Sequence, residues 1–250
     1  MPRIDDTMEQ HRIGGGKFTF AGTRITRLGA AGGYTLVTLA VDETGSVSGF
    51  ADELKKMLVM VVESCKKSPR SDNLLMRVIT FGSQYPNGVK EIHGFKPLSD
   101  IVVADYPDIK PGGWTPLCDA VYSSIGAMNT YGEKLNDEDF DVNAIAVVIS
   151  DGGENSSVAT MNMVKKELQK SVTGEQVESM ISILVGINTS QCGSLLRTFK
   201  DEAGMTHYID AGEATKGKLA KLAGFVSRSI SSQSQALGTG GPSQNIQATI

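Results

Sequence analysis

The sequence predicts an α/β fold: a doubly wound, mostly parallel sheet with helices on both faces. Two patterns carry that expectation. Short apolar, β-branched runs recur along the chain, and segments with apolar residues at helical spacing fall between them. The runs are nearly continuous rather than alternating, as in strands covered on both faces. Alternation of this kind leaves few topologies once crossovers are right-handed. A chain of 250 residues, 40% hydrophobic and 21% charged, can bury the core that such a sheet needs.

The elements follow in order. "YTLVTLAV" (34–41) is the first buried strand. Phe50, Leu54, Met57, Leu58, Val61 and Cys65 then mark one face of a helix. "LLMRVITFG" (74–82) is the second strand. "GVKEIHGFKPL" (88–98) alternates and is more polar, which suits an antiparallel edge strand. After a loop rich in Pro, Gly and Asp, Leu117, Val121, Ile125 and Met128 define the next helix. "NAIAVVIS" (143–150) is a strand, followed by the helical positions Met161, Val164, Leu168 and Val172. "MISILVGI" (180–187) is a strand, and Cys192, Leu195, Leu196 and Phe199 form a helix face. "THYID" (206–210) is a short last strand. Leu219, Leu222, Val226 and Ile230 line a final helix.

This gives a domain over 34–230. Residues 1–33 are Gly-rich; "KFTFAGTRITRL" alternates and reads as an edge hairpin or a loose arm. Residues 231–250 contain no charged side chain and read as a flexible polar tail.

Composition excludes several classes. A net charge of −4 gives no general argument for nucleic acid or an anionic membrane. No apolar run approaches the roughly 18 residues that span a bilayer, and the first 30 residues hold no secretory h-region. Cys65, Cys118 and Cys192 are odd in number and far apart. They read as free thiols in a reducing compartment, which places the expectation in the cytoplasm.

In open parallel sheets ligands bind beyond the carboxyl ends of the strands. The first strand ends in Asp42-Glu43-Thr44-Gly45-Ser46, and the strand at 143–150 ends in Asp151-Gly152-Gly153-Glu154-Asn155. The loop "PGGWTPLCDA" (111–120) can reach the same edge. Pooled, these give two carboxylates, Asp42 and Asp151, and three hydroxyls, Thr44, Ser46 and Thr115. All are hard oxygen donors, with no Cys or His, which suits Mg²⁺ or Mn²⁺ rather than zinc or copper. Two aspartates formally balance a divalent ion, and the hydroxyls add ligation without charge. The ion then keeps an attraction for an outside carboxylate.

Asp-x-Thr-x-Ser, Thr-Pro-Leu-x-Asp-Ala and Asp-Gly after a buried strand, in that order, resemble the von Willebrand factor A domain and its metal-ion-dependent adhesion site. The resemblance covers roughly residues 34–230. It implies that Thr44 and Ser46 ligate a Mg²⁺ ion directly, with Mn²⁺ or Ca²⁺ as substitutes. Asp42 and Asp151 would act mainly through water. Thr115 would bind when a partner carboxylate completes the shell, and Asp119 would support its loop. The family usually has Ser where Thr44 stands; Thr keeps the hydroxyl and adds a methyl. The implied function is a non-enzymatic, Mg²⁺-dependent protein-interaction module within a larger complex. Its partner is another protein presenting Asp or Glu.

Other readings of the same residues stand beside this one. Thr44, Ser46 and Thr115 could be helix N-caps, and Ser48 is a cap candidate for the first helix. Glu43 and Glu154 read as solvated or partner-facing side chains, with extra metal ligands as the alternative. Asp105 and Asp108 read as plain loop residues or a second cation site. Trp114 is either an exposed binding anchor or packed under its loop. The rival function is an Mg²⁺-dependent aspartyl phosphatase-like hydrolase. Such enzymes resemble the start of the chain but want a second carboxylate two residues after the nucleophile, where Thr44 stands.

Overall fold

The computed structural model describes residues 7–14, 16–28, 32–174 and 176–239. One eight-stranded sheet forms the centre. Its strands are β1 (Met8–Arg12), β2 (Thr19–Thr23), β3 (Gly33–Asp42), β4 (Leu74–Phe81), β5 (Val89–Pro97), β6 (Asp141–Ser150), β7 (Ser179–Gly186) and β8 (His207–Asp210). The spatial order is β1-β2-β5-β4-β3-β6-β7-β8. β3, β4, β6, β7 and β8 run parallel, whereas β5 is antiparallel to β4.

All ten residues of β3 are buried, because this strand has neighbours on both edges and helices on both faces. Its run is therefore rich in apolar residues along its whole length. Side chains alternate between two cores. Val37, Leu39 and Val41 face a layer made by α1 (Ala51–Lys66) and α5 (Lys216–Thr239). Leu36 and Ala40 face α2 (Leu117–Asn136), α3 (Met161–Thr173) and α4 (Gly193–Ala203). That is the doubly wound architecture which the periodicities predict.

Two expectations need correction. β5 is antiparallel, as its pattern suggests, but it is not an edge. The hairpin β1–β2 joins its outer side through a single parallel pair, Gly22 with Phe95. Side chains fasten the hairpin where the ladder is sparse. The Ala21 N–H donates to Glu91 Oε1 at 2.9 Å, and the Thr23 hydroxyl donates to the Phe95 carbonyl at 3.1 Å. The Tyr131 hydroxyl donates to the Thr23 carbonyl, and its ring stacks on Phe95 at 5.3 Å. Arg77 is wholly buried beneath the hairpin, with its Nε 2.6 Å from Glu91 Oε2 and its remaining nitrogens on Ser123.

The second correction concerns the tail. α5 continues to Thr239, so the first part of the segment expected to be flexible is helical. Polar groups here find partners: Arg70 Nε donates to the Ser234 hydroxyl, Gln233 Nε2 donates to the Ser179 hydroxyl, and the Asn143 amide donates to the Gln233 carbonyl. Residues 240–250 lie outside the described residues. Among the described residues no helix is long and apolar enough to cross a membrane.

Candidate metal centre

The carboxyl end of β3 delivers Asp42 into the core layer, wholly buried. Both of its carboxylate oxygens are engaged. Oδ1 accepts from the Thr44 N–H at 2.8 Å, and Oδ2 accepts from the Ser150 hydroxyl at 2.6 Å. Burial pushes its pKa up from 3.8 to about 6; the Ser150 and Thr44 hydrogen bonds pull the other way, and nearby Asp151 adds to the rise. The chain then turns through residues 45–49 as a short 3₁₀ segment. Thr44 and Ser46 thereby stand side by side, with their hydroxyl oxygens 3.0 Å apart.

The next strand over, β6, ends one residue before Asp151. Ser46 Oγ donates to Asp151 Oδ1 at 2.6 Å. Burial raises the Asp151 pKa, and the Ser46 hydrogen bond opposes that rise. The Cys192 thiol, at the start of α4, donates to the Asp151 carbonyl at 2.8 Å.

Thr115 arrives on the long loop before α2 and is buried. Three ties hold that loop against the Asp42 segment. The Gly112 N–H donates to the Glu43 carbonyl at 3.0 Å, and the Gly45 N–H to the Gly113 carbonyl at 3.3 Å. The Lys110 N–H donates to Glu43 Oε1 at 2.6 Å. Gly113 has φ +68°, and a Cβ there would lie 2.4 Å from Ser83 Oγ, so only glycine fits. On the other side Thr115 and Asn155 exchange bonds: the Thr115 N–H donates to Asn155 Oδ1 at 2.7 Å, and the Asn155 N–H to the Thr115 carbonyl at 3.1 Å. The Thr115 hydroxyl oxygen sits where a Cβ on Gly152 would be only 2.8 Å away. Asp-Gly after the strand is thus a steric requirement of this loop's approach.

The expected residues are therefore brought to one sheet edge: Ser46 touches Thr44 and Asp151, Asp42 is linked through Thr44 and Ser150, and Thr115 lies against Gly152. The cap readings find no bond. α1 starts after Phe50 and α2 after Pro116, each without a side-chain cap, so neither Ser48 nor Thr115 plays that part. The donor set fits a small hard cation. In an octahedral shell with bonds of about 2.0–2.1 Å, adjacent oxygens stand about 2.9 Å apart. The Thr44–Ser46 separation of 3.0 Å already matches such an edge. No group of three or more His, Cys, Asp or Glu suited to a metal occurs among the described residues. A centre with two carboxylates and three hydroxyls has no such group to show.

Four supporting residues carry weight that the sequence pattern did not assign. Ser150 orients Asp42. Asn155 clamps the Thr115 backbone. Glu154 is exposed, as expected, and also accepts from the Cys118 N–H at 2.6 Å, so closing the N-terminus of α2. Glu43, expected to face outward, is fully buried and ties down Lys110. Asp119, expected to support the Thr115 loop, accepts instead from the Val158 and Ala159 N–H groups in the loop before α3 at 2.6–3.0 Å. Burial raises its pKa, and those two donors oppose the rise. Asp108 is spent on a 2.7 Å ion pair with Lys55 at the surface. Trp114 is 69% exposed; its backbone, not its ring, is bound, to Ser83.

No protein-family model matches the sequence, and no curated protein matches it either. Solved structures do match. Proximal thread matrix protein 1 from the mussel byssus, in a form with a zinc-occupied MIDAS motif, is 14% identical with a TM-score of 0.52. That match covers 80% of this chain and 46% of the byssus protein. The pilus adhesin SpaC from Lactobacillus rhamnosus GG is 10% identical, with a TM-score of 0.55, over 86% of this chain and 32% of the adhesin. The SpRpn10 VWA domain is 11% identical, with a TM-score of 0.51, over 76% of this chain and 93% of that domain. The chain thus spans less than half of the byssus and pilus proteins, but nearly all of an isolated domain.

Proposed function

With the fold of a von Willebrand factor A domain as its premise, we propose that this chain is a divalent-metal-dependent protein-binding module. It uses the edge at Asp42, Thr44, Ser46, Thr115 and Asp151 to grip a carboxylate of a partner protein. The observation that supports this most is the convergence of hydroxyls and carboxylates from three distant segments onto one sheet edge, with Ser46 as the joint between Thr44 and Asp151. The zinc-occupied motif of the mussel protein belongs to that protein; here it supports a divalent ion on the same kind of edge.

Thr44 and Ser46 would supply neutral oxygens, and Thr115 a third from the opposite loop. Asp42 and Asp151 would supply the charge that retains the ion. When bound, a Mg²⁺ ion would provide a compact positive charge for the partner's Asp or Glu. Ser150 holds Asp42 in one rotamer, so the carboxylate is oriented before any ion arrives. A nucleophilic role for Asp42, as in an aspartyl phosphatase, is disfavoured by its complete burial and by the engagement of both oxygens. Calorimetry with Mg²⁺ and Mn²⁺, and recovery of partner proteins with and without chelator, test the proposal. Binding of neither metal at millimolar concentration would end it.

A further inference from the structure

Among the described residues six large hydrophobic side chains are exposed, and three of them, Trp114, Val158 and Leu195, belong to the surroundings of this one edge. Scattered apolar residues on a surface need no explanation, but their concentration around a candidate site does. Trp114 directly precedes Thr115 and is 69% exposed. Leu195, 59% exposed, leans over the Asp151 loop from α4, with Cδ1 3.2 Å from where a Cβ on Gly153 would stand. Val158, 58% exposed, is fixed by its N–H bond to Asp119 in the loop that also carries Asn155. Each comes from a different segment: the α2 approach loop, the α3 approach loop and α4.

Their backbones are held firmly while their side chains point into solvent. Ser83 binds Trp114 at both N–H and carbonyl, and Asp119 binds Val158 with both oxygens. With the backbone already fixed, covering these side chains costs only their own rotamer freedom.

Resting on the metal-and-carboxylate reading above, we infer that Trp114, Val158 and Leu195 form an apolar rim that selects the partner. The occupant is a protein loop whose Asp or Glu is flanked on both sides by large apolar side chains. The acidic group answers the charge at the centre, and its neighbours cover the rim. A bare carboxylate, or one set among polar residues, would leave the indole of Trp114 and the side chain of Leu195 in water.

Disulfide-closed synthetic peptides test this on the full chain. One carries a central Asp between Leu and Phe, a second the same Asp between serines, and a third Asn between Leu and Phe. In Mg²⁺ the first should bind about tenfold or more tighter than the second, as expected for covering large side chains at a binding centre. The third should not bind, and chelator should release the first. Trp114→Ala and Leu195→Ser change exposed positions; each should erase the preference between the two acidic peptides while leaving Mg²⁺ affinity unchanged. Equal binding of both acidic peptides, or a preference that survives both substitutions, overturns the apolar rim alone. Absence of Mg²⁺-dependent binding by either acidic peptide overturns the carboxylate reading and the rim with it.

Discussion

Asp42→Asn should stabilise the metal-free protein at neutral pH while abolishing its response to Mg²⁺. The native carboxylate is fully buried and has its pKa raised from 3.8 to about 6, chiefly by loss of solvation. A folded-state value above the unfolded one means that the group's contribution is fully present below about pH 4. It is lost as pH rises through about 6. The loss amounts to about 3 kcal/mol at pH 7. Asparagine removes that cost. Its Oδ1 can still accept from the Thr44 N–H, and the Ser150 hydroxyl can turn to accept from the new amide. One weakened hydrogen bond costs about 1 kcal/mol, so a net gain of about 2 kcal/mol remains. For a chain of this length that is a rise in Tm of about 3–4 °C in chelator at pH 7. At pH 4 the gain should vanish. His11 and His93 are held neutral by burial, with values lowered to about 4, and so destabilise both proteins equally on acidification. Their effect cancels in the difference between variant and parent. Added Mg²⁺ at about a hundred times its Kd should raise the parent by about 2.7 kcal/mol and the variant by nothing. Calorimetric melts at pH 4 and pH 7, with and without Mg²⁺, measure all four terms. A metal-free variant that melts below its parent at pH 7 would refute the reasoning.

Ser150→Ala removes the 2.6 Å donor to Asp42 and should weaken Mn²⁺ binding about tenfold, or about 1.4 kcal/mol, by titration calorimetry. Asp119→Ala leaves the Val158 and Ala159 N–H groups without their acceptor and should cost about 2–4 kcal/mol, read from the urea midpoint. Cys65, Cys118 and Cys192 are free and buried, with thiol pKa values raised by burial. They should react slowly with a disulfide reagent in the native protein and fully once it is unfolded.

The parallel core was legible because burial on both faces forces apolar runs, and β3, β6 and β7 are such runs. The ligand edge was legible because residues 42, 44 and 46 alternate just where a strand ends. What escaped were decisions made by tertiary contacts. That β5 is interior depends on how the hairpin docks beside it, through one strand pair and the Glu91 and Tyr131 bonds, none of which leaves a periodic signal. Gln233 and Ser234 look like tail residues by composition, yet partners on β6, β7 and the turn after α1 make them buried helix. Glu43 is charged and loop-borne, so nothing local says that it is buried; Glu154 stays exposed, and nothing local says that it accepts from the N-terminus of α2. Ser150 offered a signal: a hydroxyl immediately before the strand-terminal aspartate, beside another strand-terminal aspartate.

The seating of the N-terminal hairpin has a consequence for handling the molecule. At Gly94 a Cβ would lie only 2.0 Å from the Ala21 carbonyl oxygen, so the two backbones touch with no room for a methyl group. Trimming the chain ahead of residue 24 would strip that cover and leave the flank of β5 bare. An uncapped strand flank recruits others of its kind. A shortened version should therefore turn up as clumps in a sizing column.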